Sequence, residues 1–127
     1  MEFSSRSFAD VVVAAPAGRI DHEASGPFEQ ALAPLLQRAP AGLILDFAHV
    51  DYISSVGLRV LMVAAKKMRA GKGRVAITTL QPIVAEIFAI SRFDNVLDVF
   101  PSVRAALAAF SAGALTAFDA TQGNPGT

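Results

Sequence analysis

Short unbroken apolar runs alternate along the chain with stretches whose apolar positions recur every three or four residues, and the two patterns predict different elements. Val11-Val12-Val13-Ala14-Ala15, inside Asp10 to Ala17, has the density of a buried strand. Leu43–Phe47, Val75–Thr79 and Val96–Phe100 are three more such runs, the last closed by Pro101. Phe3 to Phe8 is less apolar and suits an edge strand or hairpin partner, and Gly18 is expected to end the run that follows it. Ser25 to Gln37 instead places Phe28, Ala31, Leu32, Leu35 and Leu36 on one helical stripe. Pro27 suits its first turn and Pro34 is expected to kink or loosen the last. Ser55 to Ala70 is the strongest helix, Pro82 to Ser91 begins with a proline as helices permit, and Ser102 can cap Val103 to Phe110.

The order β-β-α-β-α-β-α-β-α predicts an α/β domain over residues 1–110, with a mixed, partly parallel sheet of about five strands and four helices. From Ser111 to Thr127 the periodicity stops, and Gly113, Gly123, Pro125 and Gly126 predict a mobile tail, or a poorly packed one.

Composition narrows the function. The 127 residues, 53% apolar and 17% charged, suffice for one domain with its own core. Eleven Lys plus Arg balance eleven Asp plus Glu, which argues against nucleic acid and against a polybasic membrane anchor. With no cysteine, disulfides, thiol catalysis and thiolate metal sites are excluded, and a reducing cytoplasm fits. The start of the chain lacks a signal-peptide pattern, and Val60 to Ala65 is far shorter than a membrane span. No dinucleotide or P-loop glycine pattern and no nucleophile elbow is present. His22 and His49 stand apart without metal-ligand spacing and read as solvated polar residues. A triad of Ser55, His22 and Asp21 is disfavoured, because adjacent His and Asp cannot easily orient one another.

One segment concentrates chemistry at a helix start: Val50-Asp51-Tyr52-Ile53-Ser54-Ser55-Val56-Gly57-Leu58-Arg59. Either serine can cap the helix. The same free N–H groups and helix dipole also favour a negative group there, and a phosphoserine carries about −1.5 to −2 charges. Wound at 100° per residue, the helix has a core side of Gly57, Leu61, Ala64 and Met68, flanked by Leu58 and Ala65. Its other side carries Arg59, Met62, Val63, Lys66 and Ala70, an apolar centre with a basic rim of the kind partner sites show.

Tyr52-Ile53-Ser54-Ser55-Val56-Gly57-Leu58-Arg59 resembles the signature of STAS domains, named for sulfate transporters and anti-sigma factor antagonists. Gly18-Arg19-Ile20-Asp21 is similar to the family's turn after its second strand, Leu43–Phe47 to its central strand, and Pro82 through Val96 to its third helix and following turn. The resemblance covers residues 3–110 and implies a cytoplasmic regulatory binding module, not an enzyme, without metal or cofactor. In the bacterial antagonist branch, it implies a partner-switching protein that binds an anti-sigma factor with serine kinase activity and frees the sigma factor. Phosphorylation of a serine two positions before the Gly-Leu pair, here Ser55, ends binding, and a metal-dependent serine phosphatase restores it. Asp21 matches the turn aspartate near the acceptor. Ser54 stands where the best-studied antagonists have aspartate, making it a competing acceptor, and Arg59 stands where glycine is frequent. The expected partner surface is Asp21, Ser54, Ser55, Arg59, Met62, Val63 and Lys66. The alternative is a STAS regulatory subunit of a membrane transporter, without a phosphoswitch.

Overall fold

The computed structural model describes residues 2–38, 41–95 and 97–122. The chain runs β1 (Glu2–Phe8), β2 (Val11–Ile20), α1 (Ser25–Arg38), β3 (Gly42–Asp46), β4 (His49–Ile53), α2 (Ser55–Ala70), β5 (Arg74–Thr78), α3 (Pro82–Ile90), a 3-10 turn (Phe93–Asn95), β6 (Asp98–Phe100), α4 (Val103–Phe110) and α5 (Ala112–Gln122). The strand order is β1-β2-β3-β5-β6, and β4 also pairs with β2. Among the described residues only the β1–β2 hairpin is antiparallel. The mixed α/β sheet is as expected, and the described residues form six strands and five helices against about five and four.

The apolar runs are unbroken because helices cover both faces of the central strands. Val12, Ala14, Leu43, Leu45, Val75 and Ile77 enter the larger core, which includes Phe28 and Leu32 of α1, Leu61 of α2 and Phe88 of α3. The alternate residues Val11, Val13, Ile44 and Ala76 enter a second core with Ala106 and Leu107 of α4 and Ala114 of α5. Leu61 and Met68 are buried, as the helical pattern requires.

Several boundaries differ from the sequence pattern. β2 does not stop at Gly18. The glycine takes φ +100°, a left-handed value that side chains resist, and the strand goes on to Ile20 with its register against β4 shifted after Gly18. This long β2 has two neighbours on one side: β3 pairs with Val11–Ala14 and β4 with Ala17–Ile20. β4, not among the strands expected from the sequence, continues the line of β3 after a break in which the Ala48 N–H bonds the Asp46 carboxylate at 3.1 Å. α1 runs on through Pro34 to Arg38. β6 is the last predicted strand, shortened to Asp98–Phe100, while Val96 lies outside the described residues.

The segment after Ser111, expected to lack regular structure, holds a helix over its first part. Ala112–Gln122 is a helix that packs on β1, with the Phe118 and Phe8 ring centroids 5.4 Å apart. Arg104 of α4 bonds both carboxylate oxygens of Asp119 at 3.1 and 3.0 Å, and this contact raises the guanidinium pKa. Residues 123–127 lie outside the described residues.

Candidate functional site

The segment singled out in the sequence lies where β4 hands over to α2, beside the end of β2. The Ser54 N–H donates to the Ile20 carbonyl at 2.8 Å, which fixes the entry of the chain into the helix. Gly57 packs against the same residue: a Cβ built there would lie 2.8 Å from Ile53 Cγ1, 2.9 Å from Ile20 Cγ2 and 3.3 Å from the Ile20 carbonyl oxygen. Glycine at this position therefore lets the first turn of α2 sit directly on the end of β2.

Asp21 follows Ile20, so the same contact brings the aspartate turn to the start of α2. Its Oδ1 accepts from the Ala24 N–H at 2.9 Å, and its carbonyl accepts from the Ser25 N–H at 3.1 Å and hydroxyl at 2.8 Å. Asp21 thus shapes the turn into α1, and its side chain is half-buried.

The two serines have separate duties. Ser54, half-buried and extended, is the N-cap, and its hydroxyl accepts from the Gly57 N–H at 3.1 Å. Ser55 is the first residue of the helix, takes no part in the cap and is exposed. The sequence left the cap open between them, and the fold assigns it to Ser54.

Arg59 and Lys66 are exposed on the same side of α2 as Ser55. Met62 and Val63 are not the open centre of this face. Both are half-buried, Met62 against the larger core and Val63 in the groove between α2 and Glu29, Ala33 and Leu36 of α1. The helix is turned so that the contacts with α1 and with the core take the two flanks of the stripe, leaving a narrow charged strip from Ser55 through Arg59 to Lys66.

Val56, 38% exposed at the second position of α2, is an apolar neighbour of Ser55 that the sequence reading missed. Its wheel angle, on the far side from Leu61, was the available signal. Arg19 and Tyr52, paired across β2 and β4, were also missed as a unit: the guanidinium carbon lies 4.4 Å from the ring centroid. His22 and His49 are both exposed, and the described residues hold no group of three or more candidate metal ligands. Among the described residues no helix is long and apolar enough to cross a membrane.

The family model for the STAS domain matches residues 3–106. The protein named "Putative anti-sigma factor antagonist BtrV" from Bordetella bronchiseptica is 33% identical over 110 residues, 87% of this chain and 95% of its own length. Among solved structures, an anti-sigma-factor antagonist (STAS) domain protein from Planctomyces limnophilus superposes with a TM-score of 0.78 at 20% identity, covering 86% of this chain and 97% of its own. The phosphorylated form of the Bacillus cell fate determinant SpoIIAA superposes with a TM-score of 0.63 at 19% identity, covering 83% of this chain and 96% of its own.

Proposed function

The chain belongs to the STAS domain family, and we propose that within it the protein is an anti-sigma factor antagonist switched by phosphorylation of Ser55. Unmodified, it binds an anti-sigma factor that is also a serine kinase. Phosphorylated, it lets go, and a metal-dependent serine phosphatase resets it. The reading draws on the antagonist names of relatives and on one observation above all. Of two adjacent serines at the start of α2, Ser54 is occupied as the N-cap and Ser55 is exposed at the first helical position.

That placement suits a switch. A phosphate on the first residue of α2 lies near free N–H groups and the positive end of the helix dipole, so the domain tolerates it and gains about 0.3–1 kcal/mol in the first turn. The cost falls on binding. A phosphate introduced into a desolvated contact adds bulk and unpaired charge, a defect worth roughly 2–5 kcal/mol. At 1.4 kcal/mol per tenfold, that weakens the complex by roughly 30- to 4,000-fold. The contact surface combines the Asp21 turn, Ser54, Ser55, Arg59 and Lys66, with Met62 and Val63 contributing only their outer edges.

The test is to capture the cognate kinase with unmodified protein, supply ATP, and map the modified peptide. Phosphate on Ser55, abolished by Ser55→Ala, with binding lost in Ser55→Asp while that variant stays folded, is the expected result. Phosphate on Ser54 alone moves the acceptor by one residue. Phosphate on neither serine overturns the switch and leaves the transporter-subunit reading standing.

A further inference from the structure

β1 forms one edge of the sheet. All seven of its residues pair with β2, from Glu2 opposite Ala17 to Phe8 opposite Val11, and among the described residues no strand pairs with its other side. Such an edge carries a row of free N–H and C=O groups, which proteins ordinarily blunt with proline, a bulge or a lysine row. β1 has neither proline nor lysine, and its register with β2 is unbroken. Ser4, Ser5, Arg6 and Ser7 are all exposed, so α5, which reaches β1 through Phe118 on Phe8, leaves the edge open.

The charges on this edge are Glu2 and Arg6, which the alternation of the strand places on the same face. That spacing is self-complementary. If two copies pair antiparallel about a two-fold axis, the axis must pass through a residue, since an axis between residues sets outward backbone groups against inward ones. Centred on Glu2 or on Arg6, the pairing opposes like charges. Centred on Phe3 or Ser5, each charge meets a serine, a phenylalanine or nothing. Centred on Ser4, Glu2 of each copy faces Arg6 of the other, and Phe3 lies across from the small Ser5.

We propose that β1 is a self-recognition edge, through which two copies of this chain join their sheets in the register centred on Ser4. The groups involved are already set for it. Phe3 is held by Phe28, with ring centroids 6.5 Å apart in an edge-on contact. The Arg6 guanidinium carbon lies over the Phe8 ring, 4.9 Å from its centroid, a cation–π contact that holds the side chain against the strand. A contact of one short strand falls in the class of small interfaces, below about 1,200 Å², so the dimer forms and dissociates with concentration. It uses none of the residues at the Ser55 site, and the two proposals stand or fall separately.

Sedimentation of the full chain from about 10 μM to about 1 mM, the range suited to a weak interface, is the test, read together with concentration-dependent amide NMR shifts. The expected result is a monomer–dimer equilibrium with shifts concentrated over Glu2 to Ser7. Glu2→Arg and Arg6→Glu each raise the dissociation constant about tenfold, because both pairs in the dimer become like-charged, and the double reversal restores it to within about threefold. Both positions are exposed, and an unchanged melting curve verifies folding of each variant. A monomer throughout the range overturns the proposal. So does a dimer indifferent to the single reversals, one that the double reversal fails to restore, or one whose shifts map to another surface.

Discussion

The Ser54 hydroxyl is tied to the Gly57 N–H at 3.1 Å, whereas the Ser55 hydroxyl lies outside the cap on the exposed side of the same turn. Their alanine variants should therefore separate. Ser54→Ala removes the cap and is expected to lower unfolding stability by about 1 kcal/mol, read by urea denaturation, while leaving Ser55 able to accept phosphate. Ser55→Ala should change stability by less than about 0.5 kcal/mol and abolish modification. Gly57 is the tighter constraint. Gly57→Ala drives a methyl group against Ile20 and Ile53, and an overpacking cost of about 1–3 kcal/mol is expected by the same measurement. Because that methyl would push the first turn of α2 off the Ile20 carbonyl, the variant should also bind the partner less well than its stability loss alone accounts for. The serine pair and the glycine were legible as a motif. Which serine caps was not, since either hydroxyl can serve and the choice depends on where Ile20 anchors the Ser54 N–H.

Elements whose apolar pattern faces one core were readable, and those that depend on distant partners were not. α2 matched its expected span because its stripe of Gly57, Leu61, Ala64 and Met68 faces a single core. Its opposite face misled at Met62, which reaches the larger core, and at Val63, since a helical wheel cannot tell open solvent from a neighbouring helix, here α1. β4 alternates over His49–Tyr52 before the buried Ile53 breaks the pattern, a short signal overshadowed by the helix motif after it. α5 had one local mark, the Ser111 hydroxyl that accepts from the Ala114 N–H at 3.2 Å. The rest of its support comes from Phe8, far away in sequence, and from Arg104 on the preceding helix. This origin predicts the effect of removing it. A chain ending at Phe110 uncovers Phe8 and loses the buried Ala114 with the half-buried Leu115 and Phe118. At about 1.5–3 kcal/mol for a fully buried large apolar side chain, the expected loss is about 2–4 kcal/mol, measured by denaturant titration. Partner binding at temperatures below the melting point should survive, since α5 covers the face of the sheet opposite α2.

At the scale of the whole molecule a formal charge of zero conceals an uneven distribution. Along α2, Arg59, Lys66, Lys67 and Arg69 are all exposed, and among the described residues the ion pairs are Arg74–Asp98 and Arg104–Asp119, neither of which engages them. A neutral protein with one basic strip steers an approaching partner by local field, not by net attraction, and the effect fades as the Debye length falls from about 10 Å at 0.1 M salt to about 3 Å at 1 M. If the Ser55 end of α2 is the docking surface, the association rate with the captured kinase should drop with added salt while the dissociation rate changes little. The double variant Arg59→Glu with Lys66→Glu should slow association at low salt and flatten or reverse its salt dependence, with thermal stability unchanged because both side chains are exposed. Stopped-flow or surface-based kinetics at three ionic strengths decide it. Equal salt slopes for the native chain and the double variant would mean that the partner approaches another face, and the strip on α2 would then be solvated surface only.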